Sequence, residues 1–153
     1  QGHAIAGGCG LASVCDLSIA SESAKFGYSE VKIGFIPAIV SVFLLRKIGE
    51  GKTKELLLTG KTISAQQATD MGLINSCVPK ENLEQSVLDL AQKLCATASA
   101  DSLRSTKLML AEMQNLSLDE GLDLAVNKNA MARESEDCKK GIDAFLNKKN
   151  LNW

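Results

Sequence analysis

Between Ala4 and Asp16 the chain reads "AIAGGCGLASVCD", an apolar run that passes through two adjacent glycines, a cysteine and a third glycine before turning helical. Small residues at Ala4 and Ala6 suit a strand packed closely against its neighbours, and Gly7 and Gly8 interrupt it. The pattern predicts a short strand over "HAIA", a turn at Gly7 and Gly8, a short buried helix from Cys9 to about Cys15, and a second strand at "DLSIAS". A glycine pair at a strand-to-helix junction lets the backbone approach a ligand, because no Cβ intervenes. The amide N–H groups there sit at the positive end of a helix, where they suit an anion or an oxygen that gains negative charge during a reaction. The same glycines also permit close helix-on-strand packing, and spacing alone leaves both readings open. A nucleotide loop is disfavoured, since "GGCG" has neither the GK[ST] ending nor the GxGxxG spacing.

Downstream, "AKFGYSEVKIGFIP" reads as an irregular segment with a brief extended piece around Phe26 and stops at Gly34 and Pro37. From Pro37 helices dominate. "AIVSVFLLRKIG" and "GKTKELLLTG" each end on glycine, and "SAQQATDMG" opens with a capping box, Ser64 with Gln67. "LINSCVP" predicts a short strand. Leu83, Val87, Leu90 and Leu94 then mark one face of a long helix. Further helices are predicted from near Asp101, from Ser117 with Glu120 as a second capping box, and from about Ser135 to Lys149. The layout is an α/β part over residues 1–80 followed by a helical region over 81–153.

The chain has 153 residues, enough for one domain with a real core, at 45% hydrophobic content and a net charge of −1. That balance provides no basic field for nucleic acid and is ordinary for a cytoplasmic protein. No apolar stretch reaches the length that spans a bilayer, so no membrane partner is expected. Cys9, Cys15, Cys77, Cys95 and Cys138 are odd in number and widely spaced, without a CxxC pair. They predict reduced, mostly buried thiols and no metal site. His3 is the single histidine, and a hydrogen-bonded core position suits it better than a catalytic one.

Three stretches carry a resemblance: "GHAIAGGCGLASVCDLSIASESAKFGYSEVKIGFIP", "LLLTGKTISAQQATDMGLINSCVP" and "GIDAFLNKKNLNW". In order and spacing they resemble the enoyl-CoA hydratase/isomerase family, or crotonase superfamily. The resemblance implies an α/β fold, a crotonase-like ββα spiral with its N-terminal turns missing, followed by a C-terminal helical trimerisation region. It implies an acyl-CoA thioester as substrate, coenzyme A being part of that substrate with no separate cofactor, and a homotrimer or hexamer.

The family holds the thioester carbonyl oxygen between two backbone N–H groups, and the downstream donor falls on Gly7, with Gly8 beside it. Family hydratases use two glutamates. One, in "FGxPE", corresponds to Glu30 in "FGYSE"; the other, ending "GGGCE", is replaced by Gly10. Hydration shares its proton transfers easily between two carboxylates, whereas a double-bond isomerase can shuttle its proton on one. Around "GFIPAIVS" the chain is also similar to bacterial methylglutaconyl-CoA hydratases, which keeps hydration by Glu30 as the leading reading. A Δ3,Δ2-enoyl-CoA isomerase and a non-catalytic acyl-CoA-binding protein are the alternatives. Ile33, Phe35 and Ile36 are expected as apolar walls against Glu30, with Ile36 touching substrate. "PAIVS" puts Ile39 and Val40 where the family commonly has "PGAGG", a change that fits either a branched acyl group or core packing. The resemblance assigns Phe145 to the adenine of coenzyme A and Lys148, on the last helix, to its phosphate. Cys9 stands at a helix start, and a buried structural thiol is the expected role.

Overall fold

A computed structural model describes all 153 residues, Gln1–Trp153, in two compact units, Gln1–Leu88 and Asp89–Trp153. The first unit begins with β1 (Ala4–Ile5), α1 (Gly7–Val14), β2 (Ile19–Ser21) and β3 (Lys25–Gly27), then a 3₁₀ turn over Glu30–Ile33. It continues with α2 (Ala38–Thr59), β4 (Thr62–Ser64), α3 (Ala65–Asp70), β5 (Ser76–Val78) and a second 3₁₀ turn, Lys80–Asn82. This is the α/β architecture expected, built on two small sheets. One has the order β1-β3-β4 and the other pairs β2 with β5. β1 runs parallel to β3, with Ile5 opposite Gly27, and β4 runs antiparallel to β3, with Ile63 opposite Phe26. β2 and β5 are parallel, and Asn75 clamps their entry, its side chain accepting from Ser18 N at 2.7 Å while its own N–H donates to Ser18 O at 2.9 Å.

Two elements differ from the sequence reading. The glycines do not form a turn before the helix: α1 starts at Gly7, so Gly7 and Gly8 are its first turn. Strand β4 was not expected, because its three residues lie between two glycine- and serine-bounded helices and find their partner only through tertiary pairing with β3. The two predicted helices ending on glycine are both present within Ala38–Thr59, divided at Gly49 and closed at Gly60, whose N–H donates to Leu56 O.

The core of this unit gathers Tyr28, Leu44, Leu56, Leu73 and Cys9, all essentially without solvent contact, with Phe26, Ile63 and Ile74. α1 packs on α2, and Lys47 of α2 reaches back to the carbonyls that end α1, donating to Ser13 O at 2.8 Å and Cys15 O at 3.2 Å. A cation there satisfies acceptors that the helix itself cannot.

α4 (Leu83–Thr97) leads into the second unit, which holds α5 (Ala100–Met113), α6 (Leu118–Glu134) and α7 (Glu136–Leu146). α6 packs on both α5 and α7. Ser99 caps α5, accepting from Ser102 N at 3.0 Å, and donates to Asp137 Oδ2 at 2.5 Å, which ties α5 to the start of α7. Ser117 and Glu120 form the predicted capping box, and Ser135 caps α7. α7 ends at Leu146, so Lys148 stands beyond the last helix and not on it, with a positive φ of 51°. No helix is long and apolar enough to cross a membrane.

Gly49, at φ 75° and ψ 169°, lies in a region open in practice only to glycine. Gly49→Ala is therefore predicted to lower the stability of the first unit by about 2 kcal/mol, read from the urea midpoint. An unchanged midpoint would show that α2 can straighten without loss.

Candidate functional site

The parallel pairing of β1 and β3 decides what meets at the site. Because Ile5 lies opposite Gly27, both strands end at the same edge of the sheet, and Ala6 N donates to Gly27 O at 2.8 Å to extend the ladder one residue. The chain leaving β1 enters α1 at once, while the chain leaving β3 passes through Tyr28 and Ser29 into the 3₁₀ turn that begins with Glu30. The first amides of α1 and the Glu30 carboxylate thus emerge from neighbouring strand ends, the place where α/β sheets commonly bind ligands.

No side chain caps α1 and its first turn holds no acidic residue. Gly7 and Gly8 are exposed, and their N–H groups lack acceptors within the helix. Ala6, before them, takes φ 50° and ψ −123°, a conformation that a residue with a Cβ adopts only under strain. Gly10 N closes the first helical bond onto Ala6 O at 3.0 Å.

The backbone of the Glu30 turn is held by its own carbonyl, which accepts from Phe35 N at 3.0 Å and from the left-handed Gly34. Glu30 is half-buried, and its Oε2 is enclosed without a hydrogen-bond partner. A carboxylate oxygen in that condition costs free energy unless another group comes to it. Behind it lie Cys9 and Tyr28, both fully buried, with the Tyr28 hydroxyl beside the Cys9 thiol and Ser13. Burial pushes the Cys9 thiol up; Tyr28 and the Gly27 backbone oppose the rise, and the Glu30 charge adds to it. Burial likewise pushes the Tyr28 hydroxyl far above its ordinary value, with Cys9 and Glu30 contributing. Burial thus favours the neutral thiol at Cys9, inside the core where the sequence places a structural cysteine. The Glu30 charge is felt at Cys9, in the first turn of α1.

A cavity of about 460 Å³ opens along α1, lined by Gly7, Gly10, Leu11 and Val14 on one side and by Ile39, Val40 and Phe43 of α2 on the other. Sequence reasoning noted Ile39 and Val40 but missed Leu11, Val14 and Phe43, although their spacing places Leu11 and Val14 on one helical face.

The remaining residues separate. Ile33, Phe35 and Ile36 are 82%, 64% and 68% exposed, so they do not form the expected walls against Glu30; Gly34, left-handed, turns this segment outward. His3 is exposed and precedes β1, which excludes the core role foreseen for it. Phe145 and Lys148 belong to the second unit, where both are exposed.

The family model described as enoyl-CoA hydratase/isomerase matches residues 1–153. A Thermus thermophilus relative, by name a candidate enoyl-CoA hydratase, is 44% identical over 97% of this chain and 58% of its own length. The 2,3-dehydroadipyl-CoA hydratase of Escherichia coli is 34% identical, with the same two coverages. Among solved structures, an enoyl-CoA hydratase from Geobacillus kaustophilus superposes with a TM-score of 0.91 at 33% identity, over 99% of this chain and 59% of that one. The chain therefore spans a little under three fifths of the length of these relatives.

Relief of the strained conformation at residue 6 yields a test of the site's geometry. Ala6→Gly is predicted to stabilise the fold by about 1 kcal/mol, the removed strain exceeding the added flexibility of the unfolded chain, with thermal denaturation as the readout. A destabilised variant would mean that α1 does not begin in this conformation.

Proposed function

The chain belongs to the enoyl-CoA hydratase/isomerase family, and from that membership we propose that Gly7 and Glu30 act together on an acyl-CoA thioester. The Gly7 N–H, with Gly8 beside it, receives the thioester oxygen as negative charge develops there, and Glu30 moves the proton. The observation that carries this reading is the enclosed, unpartnered Oε2 of Glu30, standing at the strand end that adjoins the uncapped start of α1.

In hydration, Glu30 takes a proton from water as the water oxygen bonds to C3. The C=C electron pair shifts to the thioester oxygen, giving an enolate held at Gly7, and C2 then takes the proton back from Glu30. One carboxylate performs both transfers in turn. A preorganised amide donor is worth about 3 kcal/mol at such an intermediate. Coenzyme A enters as part of the substrate, and no further cofactor takes part.

Gly10 favours a second reading, since residue 10 has no side chain to hold a water molecule. Glu30 would then remove a proton from C2 of a 3-enoyl-CoA and return it to C4, moving the double bond without water. The other assignments are proposals of the same kind. Residues 1–80 form turns of a crotonase-like ββα spiral, Ile36 contacts substrate, and Phe145 and Lys148 contact coenzyme A. The exposed Leu118, Leu122 and Val126 of α6 support assembly as a trimer or hexamer.

The test uses full-length protein with crotonyl-CoA and, separately, a 3-enoyl-CoA, the products being resolved by mass spectrometry. Hydrated product is expected, with kcat at least a hundredfold lower in Glu30→Gln. A 2-enoyl product without hydration selects the isomerase, and undiminished activity in Glu30→Gln removes Glu30 from the chemistry.

A further inference from the structure

We propose that Val40 determines which acyl groups this site accepts, because it fills with hydrocarbon the place that a side chain at residue 10 would occupy. The inference rests on the acyl-thioester reading of Gly7 and deepens it. A Cβ built on Gly10 falls onto Val40 Cγ1, well inside van der Waals contact, with Val40 Cβ 3.5 Å away. Val40 cannot readily move aside: it stands in the first turn of α2, packed against the core, and a β-branched side chain in a helix has one strongly preferred rotamer. Residues 10 and 40 therefore exclude one another, and in this chain the space belongs to Val40.

Both residues line the cavity that has Gly7 at its edge. A thioester oxygen on the Gly7 amide directs the acyl carbons into that cavity, toward Val40. Every side chain lining this open groove is hydrocarbon, so a polar or charged acyl tail laid along it would gain no hydrogen-bonding partner, whereas an aliphatic tail would bury apolar surface. Within the acyl-CoAs, Val40 is accordingly the wall that limits branching and bulk beyond C3.

The test measures binding of saturated, unreactive acyl-CoAs to full-length protein by calorimetry, together with thermal stability. Wild type is expected to bind butyryl-CoA more tightly than succinyl-CoA, whose tail is charged. Val40→Ala should improve isovaleryl-CoA relative to butyryl-CoA by about tenfold. Gly10→Ala alone should lower Tm by about 5 °C, and the same change in a Val40→Ala background should cost nothing, since alanine is the better helix former once the clash is gone. An unchanged isovaleryl-to-butyryl ratio in Val40→Ala overturns the specificity role, and so does wild-type preference for succinyl-CoA. Equal Tm losses in both backgrounds overturn the steric exclusion. If wild type binds no acyl-CoA at all, the acyl-thioester reading fails and this inference with it.

Discussion

The parallel pairing of β1 with β3 is the constraint on which the site depends. It is only two residues long, Ala4 with Phe26 and Ile5 with Gly27, extended by the bond from Ala6 N to Gly27 O. A parallel register makes both chains exit at one edge, and each exit is followed at once by a functional group: backbone amides on one side, a carboxylate on the other. Phe26 and Tyr28, both buried, anchor β3 in the core, while β4 covers its far side. A one-residue slip would reverse which side chains of β3 face inward, so the core that stabilises the fold also fixes the register of the candidate site.

Around that junction the chain tolerates unfavourable features of two kinds. Ala6 takes a backbone conformation suited to glycine, and both Glu30 Oε2 and the Tyr28 hydroxyl are enclosed without a partner. Strain and unsatisfied polar groups persist only where surrounding packing over-determines them, and they concentrate at sites that act on a ligand. Here that packing includes Cys9 and Tyr28, both within reach of the Glu30 charge and neither in contact with solvent. The neutral Cys9 and Tyr28 give Glu30 a backing without a compensating cation.

Much of this was legible in the sequence, through signals of different kinds. Helix ends were clear because capping chemistry is local: Ser64 with Gln67, Ser117 with Glu120, Gly49 and Gly60 all act within a turn or two of their own position. β4 and the start of α1 were not, because Thr62–Ser64 becomes a strand only by meeting β3, and Gly7 becomes helical only after Ala6 has absorbed the bend. The motifs that single out Gly7 and Glu30 follow strand ends that the structure brings together. The exposure of Ile33, Phe35 and Ile36 was not legible, since apolar character alone does not say which way a loop turns. The exclusion between Gly10 and Val40 was invisible because it joins residues on two different helices.

The amide end of α1 and Glu30 are proposed to stabilise and protonate an enolate together. Exchange at C2 of butyryl-CoA in D₂O isolates that step, since a saturated thioester can form an enolate but neither hydrate nor isomerise. Full-length protein is expected to bring deuterium into C2, detected by NMR or mass spectrometry, and Glu30→Gln to abolish the exchange while leaving butyryl-CoA bound. Exchange that continues undiminished in Glu30→Gln, or wild-type protein that binds butyryl-CoA and exchanges nothing, would remove the enolate from this site.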